Sequence, residues 1–255
     1  MSVDDPNLLS RIEDASLSAS APPQQRVLDG WLLRFSPGKA KRARCVNAIA
    51  AGRLPLGEKL ALCEQAYEQA GLPLIVRVTP FSEPARLDDA LQSLGLQRLD
   101  DTRVMLLPSL EALVAPAAEL ALTAVSAAEY ALAIGALRGS TTAQSDSHAE
   151  RLRHSPVPYF GFVVRRRGDT LACGQLAIEA DMVGLYDVFT APAERGRGLA
   201  AALCRQLLLR ARGQGARCAY LQVDADNHAA RSVYQRLGFA DAYAYHYRTR
   251  DPDAA

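Results

Sequence analysis

Between residues 185 and 239 the apolar positions alternate between two periods. Leu185-Tyr186-Asp187-Val188-Phe189-Thr190 is β-branched and aromatic, of strand type, and Pro192 then stops it because proline has no ladder donor. From Leu199 the repeat becomes helical. Leu199, Ala200, Leu203, Cys204, Leu207, Leu208 and Ala211 share one face, with Arg205, Arg210 and Arg212 outside it. Gly213-Gln214-Gly215 ends that helix, and Ala219-Tyr220-Leu221-Gln222-Val223 reads as a second strand. Asn227 suits the N-cap of a second helix with a buried stripe of Ala230, Val233, Tyr234 and Leu237, closed by Gly238.

The rest of the chain reads in the same way. After a serine-rich start that fits a helix or a loose tail, Gly30–Phe35 predicts a strand turned at Pro37-Gly38, paired with Arg44–Ile49. Lys39, Lys41, Arg42 and Arg44 around the turn read as a solvated tip. A helix from Leu56 to Ala70, a strand from Leu74 to Val78, a helix from Pro84 to Leu94 and a strand from Arg103 to Leu107 follow. Pro108 to Glu119 has linker composition. Beyond it come a strand at Ala121–Val125, helices at Ala127–Arg138 and Ser145–Arg153, and a hairpin of Tyr159–Arg165 with Thr170–Glu179 across Arg166-Arg167-Gly168-Asp169. Met182–Thr190 pairs antiparallel with that hairpin, and Tyr243–Thr249 ends the sheet.

Composition narrows the function. Twenty-nine basic against 28 acidic residues, with 49% hydrophobic content, fit a small-molecule partner rather than nucleic acid or membrane. Met1 to Ser20 lacks a basic start followed by an apolar core, so a cytoplasmic protein is expected. Five irregularly spaced cysteines read as reduced core thiols, and His148, His154, His228 and His246 form no metal-ligand spacing. The absence of Gly-x-Ser-x-Gly removes the usual cue for a serine hydrolase.

The loop between the first strand and helix has a chemical use. A helix N-terminus presents unpaired N–H groups, and Gly196 and Gly198 let a phosphate approach the backbone; Arg195 and Arg197 add positive charge. The run Arg195-x-x-Gly198-x-Ala200 is similar to the R/Q-x-x-G-x-G/A coenzyme A loop of the GNAT N-acetyltransferases. Asn227-x-x-Ala230-x-x-Val233-Tyr234-x-x-Leu237-Gly238-Phe239 resembles that family's next helix. Gly196-x-Gly198-x-x-Ala201 with Asp224 also fits a dinucleotide fingerprint, but after Asp224 there is room only for one helix and a terminal hairpin, too little for that fold.

The order of elements repeats. Val78 and Leu94-Gly95-Leu96 recur as Val223 and Leu237-Gly238-Phe239 at nearly the same offset. The expected fold is therefore α/β (α+β), with two tandem GNAT-like units, residues 1–115 and 116–255, each a mixed, mostly antiparallel sheet flanked by helices. The N-terminal unit is degenerate. Its loop, Ala51 to Gly57, contains Pro55, which lacks a donor N–H, and Leu91 or Ala90 stands near the place of the tyrosine.

The resemblance implies direct acetyl transfer from acetyl-CoA to a primary amine of a small molecule or peptide, by a monomer or homodimer without metal. It implies coenzyme binding by Val188, Phe189, Thr190, Arg195, Gly196, Arg197, Gly198, Leu199, Ala200, Ala201, Asn227 and Ala230. Tyr234 matches the tyrosine that protonates the departing thiolate, a phenol of ordinary pKa about 10 being protonated at neutral pH. Where members of that family supply a strand carboxylate, this chain has Gly184 and Tyr186. Asp187, expected on the face of Leu185 and Phe189, is a candidate base of raised pKa or a structural ion-pair partner; Glu179, Asp181 and relayed water stay open. A non-catalytic acyl-CoA sensor is the alternative reading.

Overall fold

The structure is a computed structural model that describes residues 5–38, 40–116 and 120–253. Lys39 of the basic turn and residues 117–119 of the expected linker lie outside the described residues. The chain forms two compact units: residues 20–103 with 243–255, and residues 1–19 with 104–242.

The serine-rich start is helix α1 (Pro6–Ala19), whose Leu8, Ile12 and Ala15 are buried. The first unit holds strands β1 (Gln24–Leu28), β2 (Trp31–Phe35), β3 (Val46–Asn47) and β4 (Ile75–Val78), with helices α2 (Leu56–Gln69) and α3 (Leu87–Ser93). β1 pairs with β2 and β2 with β3 antiparallel, whereas β3 pairs with β4 parallel. Trp31, Leu33, Val46, Leu60, Tyr67, Val76 and Leu91 form its core. α3 starts three residues later than the apolar pattern suggests, because Arg86 at its N-cap sits in the left-handed region at φ 63°.

β5 (Gln97–Leu107) carries the chain from the first unit into the second, which contains β6 (Leu122–Val125), α4 (Ala127–Arg138), α5 (Thr142–Arg153), β7 (Tyr159–Arg166) and β8 (Asp169–Glu179). β9 (Met182–Thr190), α6 (Leu199–Gly213), β10 (Cys218–Asp224) and α7 (His228–Arg236) complete it, and β11 (Ala240–Thr249) returns to pair antiparallel with β4. The strand order of the second unit is β10-β9-β8-β7-β6, antiparallel throughout except for parallel β9 and β10. That order excludes the doubly wound parallel sheet of a dinucleotide-binding fold.

Helices cover both faces of this sheet. α6 inserts Leu203, Leu207 and Leu208 among Leu176, Val183, Leu185 and Leu221, each buried leucine contributing about 1.5–3 kcal/mol. On the opposite face, Tyr130 and Ile134 of α4 and Leu152 of α5 pack on Val163 and Cys173. Capping boxes Ser126/Glu129 and Thr141/Gln144 start α4 and α5. The two helices pack so closely that a Cβ on Gly135 would collide with Ser145 Oγ.

Candidate functional site

β9 and β10 are paired only from Met182 and Cys218 to Leu185 and Leu221, although both strands run on, so a gap opens between them. On its other edge β9 bulges: Gln175 faces Tyr186 but Cys173 faces Phe189, so Asp187 and Val188 together oppose Gly174. Asp187 takes φ 49° at the bulge.

The extra residue shifts the alternation of side chains. Leu185 and Val188 both pack with the α6 core, while Phe189 packs with the α4–α5 cluster. The expectation that Asp187 shares a face with both Leu185 and Phe189 is thereby corrected. Its carboxylate meets α4 and α5, with Oδ1 3.1 Å from Arg138 Nη1 and Oδ2 3.3 Å from His148 Nε2. Burial alone would raise the Asp187 pKa, but His148 and the Arg138 and Arg151 guanidiniums outweigh it and hold the carboxyl well below the usual range. Structural pairing, one of the two roles open to Asp187, is what the geometry contains.

The gap leads into a cleft of about 710 Å³. Val188, Phe189 and Thr190 line it from β9, Arg195, Gly196 and Gly198 to Ala201 from the loop and first turn of α6, and Asn227, Ala230, Val233 and Tyr234 from α7. Of the residues expected to bind coenzyme, only Arg197 is outside the lining; it pairs with Glu194, which also meets Arg166.

Gly196 and Gly198 both take φ 75°, and added Cβ atoms there would meet nothing in the chain. The first bond of α6 is from Ala202 N to Gly198 O, 3.1 Å. Among the described residues, the amides from Gly196 to Ala201 donate no hydrogen bond within the chain, leaving a row of donors at a helix N-terminus. Thr190 Oγ1, also in the lining, is buried without a partner. Such donors fit a phosphate-bearing ligand. Arg195 and Arg138 each set a guanidinium 5.5 Å from the Phe189 ring.

Asn227 caps α7, its Oδ1 accepting from Ala230 N at 3.1 Å. The stripe Ala230, Val233 and Tyr234 is only half-buried, since it forms the cleft wall as well as packing on the core. Among the described residues the Tyr234 hydroxyl has no hydrogen-bond partner. Burial, aided by the nearby Cys204 thiol, raises its pKa, so the phenol stays protonated. Burial also pushes Cys204 up to about 12, which leaves it inert as a nucleophile.

Ser232 and Arg236, also in the lining, were not anticipated, because they lie outside the apolar stripe of α7. Glu194 carried a usable signal, its i,i+3 spacing from Arg197. Asp181 pairs with Arg11 of α1. Glu179 faces Met182, five residues along β8 from the bulge, or about 16 Å at strand rise.

This fold is that of GCN5-related N-acetyltransferases. The chain is similar in structure to one from Kribbella flavida, with TM-score 0.70 and 18% identity over 95% of each chain. It is also similar to a tandem GNAT protein from the clavulanic acid biosynthesis pathway, with TM-score 0.56 and 15% identity over 99% of this chain and 98% of that one.

Residues 131–239 match the Acetyltransferase (GNAT) family, and the second unit therefore carries a GNAT acetyltransferase domain. Along nearly its whole length the chain is similar to the uncharacterized N-acetyltransferase YobR of Bacillus subtilis (strain 168), 26% identical over 97% of this chain and 100% of that protein. A shorter stretch, 81 residues, is 40% identical to mycothiol acetyltransferase of Streptomyces avermitilis, covering 31% of this chain and 26% of that protein. Among the described residues no group of three His, Cys, Asp or Glu side chains is placed to hold a metal, and no helix is long and apolar enough to cross a membrane.

Proposed function

We propose that the second unit transfers an acetyl group from acetyl-CoA directly to a primary amine of a small molecule or peptide, in the cytoplasm. The observation that carries this reading is the row of undonated amides from Gly196 to Ala201 facing a cleft that also holds the free hydroxyl of Tyr234. The amides and Arg195 hold the pyrophosphate, and Val188 to Thr190 run beside the pantetheine arm. The amine nitrogen bonds to the thioester carbonyl carbon and gives up one proton to a base or to water, the C–S bond breaks, the thiolate takes the Tyr234 proton, and solvent reprotonates the tyrosinate.

A non-catalytic acyl-CoA sensor is favoured by one observation, that the strand positions Gly184 and Tyr186 carry no carboxylate while Asp187 is held in ion pairs. Thiol release from acetyl-CoA across a panel of amines separates the two. Amine-dependent release supports the transferase; binding without release for any amine supports the sensor.

A further inference from the structure

At the β9 bulge, between the sheet and the α4–α5 pair, His148 and Asp187 form a dyad to which neither the sequence motifs nor the family match assigns a role. Asp187 immediately precedes Val188 and Phe189, which line the cleft. Its carboxylate is 3.3 Å from His148 Nε2, and Arg138 Nη1 fixes the other oxygen at 3.1 Å. The backbone beneath is fixed too, since Tyr130 Oη donates to Asp187 O at 2.8 Å. The Tyr130 ring stands edge-on to the imidazole with centroids 6.3 Å apart.

The two imidazole nitrogens differ. Nε2 is buried 3.3 Å from an Asp187 oxygen, outside hydrogen-bond geometry, and the neighbouring carboxylate assigns it the N–H of the neutral ring. Nδ1 is not buried in that way, has no partner among the described residues, and belongs to a side chain 17% exposed. A carboxylate behind one nitrogen and an open lone pair on the other is the arrangement by which an imidazole is oriented to accept a proton.

The other basic groups along the strand are otherwise engaged or distant. Tyr186 Oη shares a hydrogen bond with Tyr220 Oη at 2.9 Å, Asp181 is paired with Arg11, and Glu179 lies beside Met182, away from the bulge.

We propose that His148 is the general base of acyl transfer and that Asp187 and Arg138 are its positioning residues. This rests on the acetyl-transfer reading above. As the amine nitrogen bonds to the carbonyl carbon, its proton passes to His148 Nδ1, giving an imidazolium balanced by Asp187. The C–S bond breaks and the thiolate takes the proton of Tyr234; Nδ1 then gives its proton to solvent and Tyr234 is reprotonated. Facing His148 are the Asp187 carboxylate of β9 and the Tyr130 ring of α4, while Arg138 of α4, Arg151 of α5 and the Cys173 thiol of β8 surround Asp187.

The test uses the full chain, acetyl-CoA, and as acceptors hydroxylamine and a panel of primary amines, with thiol release as readout. His148→Ala and His148→Gln should each lower kcat by ~10²–10⁴-fold with acetyl-CoA affinity unchanged, and the acid limb of the kcat/KM profile should disappear. Added imidazole should restore turnover to His148→Ala, which a merely structural loss would not allow. Asp187→Asn should lower kcat less and shift that acid limb rather than abolish it. Turnover in His148→Gln equal to the parent, or loss in His148→Ala without imidazole rescue, overturns the assignment. So does a parent protein that binds acetyl-CoA yet releases no thiol with any acceptor. Failure of the parent to bind acetyl-CoA at all sinks the donor reading instead.

Discussion

Lys59 Nζ lies 2.8 Å from Asp29 Oδ2, and this ion pair, with Asp29 accepting from the amides of Arg53 and Leu54, ties the turn after β1 to the loop that precedes α2. Those two amide bonds are 2.8 and 2.9 Å, and Lys59 Nζ also donates to Asp29 O at 2.9 Å. Lys59, then the two amides, hold the Asp29 carboxyl at about 2. A Cβ on Gly52 would strike both side chains. The loop amides that an anionic ligand would need already serve a carboxylate of the same chain. Titration calorimetry is expected to give one acyl-CoA per chain, and two would show that the N-terminal loop binds coenzyme.

Gly198 is required by conformation and not by packing, since its φ is 75° and no atom stands within 4 Å of a built Cβ. Gly198→Val should cost the fold only about 1–2 kcal/mol, the strain of a left-handed residue. Coenzyme A affinity should fall more than ~10-fold, because the side chain enters the cleft. Calorimetry and a melting curve on one sample decide it; unchanged affinity would remove this loop from the binding site.

Tyr234→Phe keeps the ring that packs against Phe239 at 6.0 Å and removes only the hydroxyl. Turnover should drop ~10²–10⁴-fold with coenzyme affinity kept. The defect should shrink as pH rises past about 8.5, where a thiol leaves more readily as the thiolate. Parental turnover at neutral pH would make Tyr234 a packing residue.

The limits of the sequence are physical. α4 begins and ends where its apolar period and its Ser126 cap say, and the two glycines of the loop announce a helix start, because both signals are local. β1 was missed because it is an exposed edge strand, Gln24 to Leu28, with no buried face to impose alternation. The bulge at Asp187 was invisible since positive φ in a strand is a glycine signal, and here a non-glycine takes it, anchored by Tyr130 and Arg138 from a helix some 50 residues earlier. His148 gave no sign either: a single histidine on a polar helix acquires meaning only when the fold sets Asp187 opposite it.

Acid should weaken the N-terminal unit through Asp88. Its Oδ1 accepts from Arg248 Nε and His246 Nε2, both at 2.7 Å, and the Arg248 bond, working against burial, lowers its pKa to about 2. A carboxyl lowered in the fold stabilises fully above its unfolded value, about 4, and that contribution is lost as pH falls towards 2. Trp31, the chain's single tryptophan and fully buried in this unit, is the reporter. Asp88→Asn should start less stable and lose less between pH 4 and 2. An unchanged pH slope would mean that Asp88 is not titrating there.

Because the chain passes between its compact units at residues 19/20, 103/104 and 242/243, neither unit is one continuous stretch of the gene. A fragment cut at 115/116 would leave Met105, Leu107, Leu110 and Leu113, all buried in the core beneath α6, on the other piece. It would also carry Arg248 without Asp88 and Thr249 without the Leu74 carbonyl. Recombination that exchanges the first unit for another must therefore splice at all three crossings and exchange the last strand together with the segment from 20 to 103.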